Sequence, residues 1–328
     1  MPFFAFDAPQ IRYIGRWAQD NHYGACMTAT ATGSRFQFAY TGQLARLQFN
    51  LQLQQAPYPH LYIRVDGGAR VEVPLDRYIR INAEGEGRHT VEVLLASMVE
   101  MFPRWHQPLV NRVSFEGVEA AALTDLPRPR KKQKTIEFVG DSITEGVLID
   151  PDCRQHQLEP IDRPTQDDVT ATYAWLLAQK LDLCPLFMGY GAVGATKSGC
   201  GGVPRAAEAY PYCFEGAPVT YPHPDYVFIN HGTNDWEADS VTFTAGYVAL
   251  LDAIVSAHPR AQVITMSPFN GAHQQDIEKL VAEYNERHGK DILFVNGSHW
   301  LPCEPVHPLR DGHALAAEKL AEVLRDKL

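Results

Sequence analysis

The chain has 328 residues, 45% of them hydrophobic and 21% charged, with 29 Lys and Arg against 39 Asp and Glu for a net charge of −10. A chain this long divides most naturally into two domains, each able to bury its own core. The acidic balance works against a phosphate-neutralising face, so nucleic acid is not an expected partner. No run approaches the roughly 18 apolar residues of a spanning helix. The opening Met1-Pro2-Phe3-Phe4-Ala5-Phe6 is cut short by Asp7, with no signal-peptide pattern. Six scattered cysteines (Cys26, Cys153, Cys184, Cys200, Cys213, Cys303) form no CxxC pair and read as free thiols. The expectation is a cytoplasmic protein with no membrane partner.

Up to about residue 125 the chain alternates with period two, as strands with one buried face must. Phe36, Phe38 and Tyr40 share one face; Leu47, Phe49, Leu51 and Leu53 share one face of the next run. The segment 61–65 then meets 71–75 across Asp66-Gly67-Gly68, a hairpin signal, and 89–95 alternates again. Many short strands without an intervening helical period predict an all-β sandwich or jelly roll over residues 1–126. The basic, proline-stiffened segment 127–134 reads as a solvated linker.

From residue 135 to 328 the pattern changes to short apolar runs alternating with helical periods. Buried strands are predicted at 135–139, 185–188, 226–230, 262–266 and 292–295, with helices at 170–181, 242–257, 275–288 and 314–327. This alternation predicts a three-layer α/β/α domain around a parallel sheet, whose site lies at the carboxyl ends of the strands.

Three strand ends carry chemistry. After the first strand comes Gly140-Asp141-Ser142-Ile143-Thr144-Glu145-Gly146, where Ser142 is either a nucleophile or merely a helix cap. A serine nucleophile needs an oriented imidazole. The best placed is His307, in Glu304-Pro305-Val306-His307-Pro308-Leu309-Arg310-Asp311-Gly312-His313 just before the last helix, with Glu304 three residues upstream. Glu304 is either the orienting acid or a solvated loop carboxylate. The strand 226–230 runs into His231-Gly232-Thr233-Asn234-Asp235-Trp236, where the Asn234 amide could donate to an oxyanion or, with Asp235, form an Asx turn. Trp236 lines a pocket or belongs to the core.

Gly189-Tyr190-Gly191-Ala192-Val193-Gly194 fits GxGxxG, but the following Ala195-Thr196-Lys197-Ser198-Gly199-Cys200-Gly201-Gly202-Val203-Pro204 cannot make the helix that a dinucleotide site requires. A loop offering a backbone N–H to an anion fits better, with Gly194 the first choice of donor and Gly191 the fallback. GxSxG, a Walker loop and HExxH are all missing from the sequence.

In this order, the blocks around Ser142, Gly194, Asn234 and His307 resemble the SGNH (GDSL-type) hydrolase superfamily over roughly residues 135–328. Ile11-Arg12-Tyr13-Ile14-Gly15-Arg16-Trp17 ahead of a β-rich region is similar to carbohydrate esterase family two, as is Arg88-His89-Thr90-Val91-Glu92-Val93. Members of that family join a jelly roll to an SGNH domain and remove acetyl groups from plant polysaccharides.

The resemblance implies a serine esterase with Ser142 as nucleophile, His307 as base and an oxyanion hole of Ser142, Gly194 and Asn234. It implies no metal or organic cofactor, and an acetylated oligosaccharide as substrate, on which Trp236 would stack. One departure is Glu304, where the superfamily usually has Asp; Asp311 or a backbone carbonyl are the alternatives for orienting His307. The rival readings are a lipase or thioesterase with the same machinery, and a carbohydrate-binding protein without catalysis. Oligomeric state is left open.

Overall fold

The computed structural model describes residues 1–22, 24–127, 133–150 and 163–328. Most of the expected linker at 127–134, and Cys153, lie outside the described residues.

The N-terminal region is two antiparallel sheets packed on one core. One sheet orders Ala18–Asp20, Cys26–Ala29, Val113–Glu119, Leu44–Phe49 and Tyr78–Asn82, with Phe3–Ala5 also paired to Val113–Glu119. The other orders Ala122–Thr124, Arg35–Thr41, Arg88–Ser97, His60–Val65 and Arg70–Pro74, with Arg12–Ile14 on Arg35–Thr41. Alternate apolar residues fill the space between the sheets: Phe36 and Phe38 from one meet Leu47, Phe49 and Phe115 from the other, and the rings of Phe36 and Phe115 stack 4.2 Å apart. Asp66 and Gly67 both have positive φ (50° and 71°) and Gly68 N–H bonds Val65 O at 2.9 Å, as a type I′ hairpin turn requires.

The expected alternation through Leu51 and Leu53 fails. The strand ends at Phe49, because Asn50 turns the chain by accepting the Gln52 N–H at 2.9 Å, and Leu53 is left 55% exposed.

The C-terminal region is a five-stranded parallel sheet ordered Cys184–Gly189, Thr135–Gly140, Tyr226–Asn230, Gln262–Met266, Leu293–Val295. Its strands are apolar on both faces because both are covered. Val139, Val227, Ile229 and Val263 pack under the helices Ser240–Ala257 and Gln274–His288, while Ile136, Phe138, Tyr226, Phe228 and Ile264 pack under Tyr173–Lys180 and Arg310–Leu324. The helix Ser240–Ala257 is long and apolar enough to cross a membrane, with mean hydropathy 1.5, which corrects the expectation that no run approaches that length. Phe243, Tyr247, Leu250, Leu251 and Ile254 on this helix are all buried in the core.

In this strand order the first strand lies between the second and the third, so the chain winds outward in opposite directions from the gap beyond Thr135–Gly140 and Tyr226–Asn230. That gap is where ligands bind in open α/β sheets.

The two regions interlock. Fully buried Arg16 bonds Glu137 Oε1 and the carbonyls of Tyr210 and Tyr212, each at 2.9 Å. Thr32 Oγ1 donates to Glu145 O at 2.9 Å, and Ser97 Oγ to Pro164 O at 2.7 Å. Gly33 has φ +81° and sits where a Cβ would lie 2.3 Å from the Phe187 ring, so a side chain there would hold the regions apart.

Candidate active site

Ser142 opens a four-residue helix, Ser142–Glu145, immediately beyond the strand Thr135–Gly140. The cap is Asp141, whose carboxylate accepts the Ile143 N–H at 2.9 Å, so Ser142 is freed from the capping role that would otherwise explain it. Gly146, with φ 94°, ends the helix after one turn. Ser142 is only 7% exposed. Its N–H, in the first helical turn, has no intrahelical acceptor.

His307 Nε2 lies 2.9 Å from Ser142 Oγ, although 165 residues separate them in the chain. That is the distance at which an imidazole can take the hydroxyl proton. Burial and the nearby Arg163 guanidinium push the His307 pKa down to about 4, against the opposing pull of Glu145. The ring is therefore neutral, and able to accept a proton, throughout the physiological range.

The expected acid is not in place. Among the described residues neither Glu304 nor Asp311 is hydrogen bonded to His307: Glu304 is exposed on the loop, and Asp311 accepts the Gly312 N–H at 2.9 Å in the first turn of Arg310–Leu324. The physical reason is local. Asp311 is drawn to the N-terminus of its helix, and three residues of loop carry Glu304 outward into solvent.

Asn234 lies in the single turn Thr233–Asp235 after the third strand of the sheet. It does not form an Asx turn. Its Nδ2 is 3.2 Å from Asp141 Oδ2 and 3.1 Å from Val193 O, so it ties together the nucleophile turn and the glycine loop. Burial pushes the Asp141 carboxyl up to about 7; the Ile143 N–H pulls it back and the Asp235 carboxylate adds to the rise.

The glycine loop corrects two expectations about donors. The Gly194 N–H is given to Lys197 O at 3.1 Å, and the Gly191 N–H to Glu145 Oε2 at 2.6 Å, so both are committed within the protein. The glycine loop is followed by the short turn Cys200–Gly202 and by the four-residue helix Ala206–Ala209, whose first N–H bonds Gly194 O at 3.0 Å.

Trp236 follows this turn and is 68% exposed, so it is not a core residue. Among the described residues no cluster of His, Cys, Asp or Glu is arranged to hold a metal ion.

Further residues shape the site, of which Asp235 and Glu145 lie in the blocks around Asn234 and Ser142. Asp235 accepts N–H bonds from Ala195 at 3.0 Å and Thr196 at 2.8 Å, and a Cβ on Gly194 would lie 2.5 Å from its carboxylate. Glu145 is buried against Arg104, and Arg163 against Glu100 at 3.1 Å and Asp167 at 3.4 Å. Arg104, Glu100, Arg163 and Asp167 stand outside the motif blocks, and their sequence signal is their charge alone.

The profile of the GDSL-like Lipase/Acylhydrolase family matches residues 138–315, more than half of the chain. The chain belongs to the GDSL-like lipase/acylhydrolase family. This acylhydrolase is a hydrolase of carboxylic esters. It is 25% identical over 256 residues to an acetylxylan esterase / glucomannan deacetylase of Cellvibrio japonicus, covering 73% of this chain and 67% of that protein. It is 24% identical to the cellulase/esterase CelE of Acetivibrio thermocellus, over 67% of this chain but 29% of that longer protein.

Among solved structures, a family two carbohydrate esterase from Clostridium thermocellum in complex with cellohexaose matches with TM-score 0.75 and 20% identity, over 97% of this chain and 98% of that one. One from Cellvibrio japonicus matches with TM-score 0.78 and 20% identity, over 99% of this chain and 97% of that one. The acylhydrolase thus has the fold of those enzymes along almost its whole length, the β-rich region included.

Proposed function

We propose that the protein is a serine esterase that removes acetyl groups from acetylated carbohydrates such as xylo- or manno-oligosaccharides. The observation that carries this reading is the 2.9 Å contact of His307 Nε2 with Ser142 Oγ at the ligand-binding gap of the sheet. The sugar preference is drawn from the relatives named as acetylxylan esterase / glucomannan deacetylase.

In the first step His307 takes the Ser142 proton as Oγ bonds to the ester carbonyl carbon. The oxyanion receives the Ser142 N–H and an N–H of Asn234. The longer of the two contacts of Nδ2, at 3.2 Å to Asp141, is the one that the developing charge displaces. The tetrahedral centre collapses as imidazolium protonates the departing sugar oxygen, which leaves acetyl-Ser142 and a free hydroxyl. Water, giving its proton to His307, then attacks the acyl carbonyl; acetate leaves and Oγ regains its proton. Gly194 takes part only if substrate opens its bond to Lys197 O. The His307 ring is bonded to Ser142 Oγ, and among the described residues no carboxylate is hydrogen bonded to it.

Trp236, exposed beside Asn234, offers a flat apolar face to a sugar ring. The test is acetate release from acetylated xylo- and manno-oligosaccharides beside a series of aryl esters of increasing acyl length. Acetate release, a preference for the acetyl ester, and a severalfold higher KM of Trp236→Ala on the oligosaccharides alone support the proposal. Preference for long acyl chains contradicts it in favour of a lipase, and oligosaccharide binding without hydrolysis points to a non-catalytic module.

A further inference from the structure

The β-rich region reaches the Ser142 helix through Thr32 and through a longer loop, residues 98–112, between the strands Arg88–Ser97 and Val113–Glu119. The loop is embedded in the other region: Trp105 is buried in the core that lies under Ser240–Ala257, edge-on to Tyr190 at 6.2 Å, and Arg104 N–H donates to Gly201 O at 2.9 Å.

Arg104 is fully buried and forks onto both carboxylate oxygens of Glu145, with Nη2 at 2.9 Å from Oε2. Glu145 is the last residue of the Ser142 helix. The same Oε2 accepts the Gly191 N–H at 2.6 Å, and the Gly191 carbonyl accepts the Cys200 N–H at 2.8 Å. Both polar groups of Gly191 are therefore fixed, three residues before Gly194. Gly191 also leaves no room for a side chain, since a Cβ there would fall 1.8 Å from Glu100 Oε2.

A buried ion pair is weak support for a fold, because apolar residues of the same volume serve as well or better. The Arg104–Glu145 fork has a geometric consequence instead: it holds the nucleophile helix and the glycine loop at one separation.

We propose that Arg104, from the β-rich region, is a positioning residue of the esterase site, fixing Glu145 and through it the glycine loop beside Ser142. This rests on the serine-esterase reading above. The second charge on the same loop, Glu100, pairs at 3.1 Å with Arg163. Arg163 and Glu145 also act on the His307 charge, and the loop 98–112 pairs with both.

The test uses the full chain and a small aryl acetate, which never reaches a sugar-binding surface. Arg104→Lys keeps the charge and loses the fork; the double variant Arg104→Met with Glu145→Gln removes both charges, so that no unpaired ion is buried if the lysine variant fails to fold. The expected result is a kcat at least about tenfold lower with KM changed less than about threefold in each variant that retains a cooperative thermal transition. Wild-type kcat in a folded variant overturns the proposal, as does a change in KM alone. Ser142→Ala separates the two failures. If it is as active as the wild type, the esterase reading falls; if it is inactive while the Arg104 variants keep full kcat, only the positioning role falls.

Discussion

At the scale of single residues, His307 carries the sharpest expectation. Its lowered pKa, about 4 against the ordinary 6.5, means that it stays unprotonated as pH falls through 6 and 5. Since only the neutral ring can take the Ser142 proton, kcat/KM for an aryl acetate should hold level down to about pH 5 and fall with a midpoint near 4. A midpoint near 6.5 would contradict the environment described for the ring. The profile of Glu304→Gln should superimpose on that of the wild type, because Glu304 is exposed and not bonded to the imidazole. Ser142, His307 and Asn234 were legible as candidates because each is a polar side chain at a strand or helix end, where sites form in a parallel sheet. The orienting acid was not, since one methylene and a loop path decide whether a carboxylate reaches a ring, and spacing encodes neither.

At the scale of elements, the buried strands were read almost to their ends because parallel strands covered on both faces are continuous apolar runs. Thr135–Gly140 and Tyr226–Asn230 match their expected positions within a residue, as does Gln262–Met266. The glycine loop was legible as a loop, but its hydrogen bonds were not: Gly191 gives its N–H to Glu145, brought there by the fold, and Gly194 to Lys197 O in a local turn. The loop also has little slack. Gly194→Ala would place a methyl 2.5 Å from the Asp235 carboxylate, displacing the acceptor of the Ala195 and Thr196 N–H groups. Aryl acetate hydrolysis by this variant should fall about tenfold or more, while an unchanged rate would show that the loop plays no part in aligning the site.

At the scale of the whole molecule, the change of period near residue 125 announced the two regions, but nothing in either pattern announced how closely they join. Long-range pairs such as Arg16 with Glu137, 121 residues apart, have no local signature. Arg16 is 1% exposed, and its removal leaves Glu137 buried in the middle of the sheet. Arg16→Met should therefore cost about 3–5 kcal/mol of stability. Because the pair spans both regions, thermal unfolding should remain one transition at a lower temperature; loss of one region alone would show that they unfold independently.

Ser142 is the residue on which the whole chemistry depends, and the most direct measurement is hydrolysis of a small aryl acetate by the wild-type protein and by Ser142→Ala. The predicted result is turnover by the wild type and a fall of about 10⁴-fold or more in the variant, to near the rate in buffer. Comparable rates for the two proteins would contradict a serine nucleophile at this position.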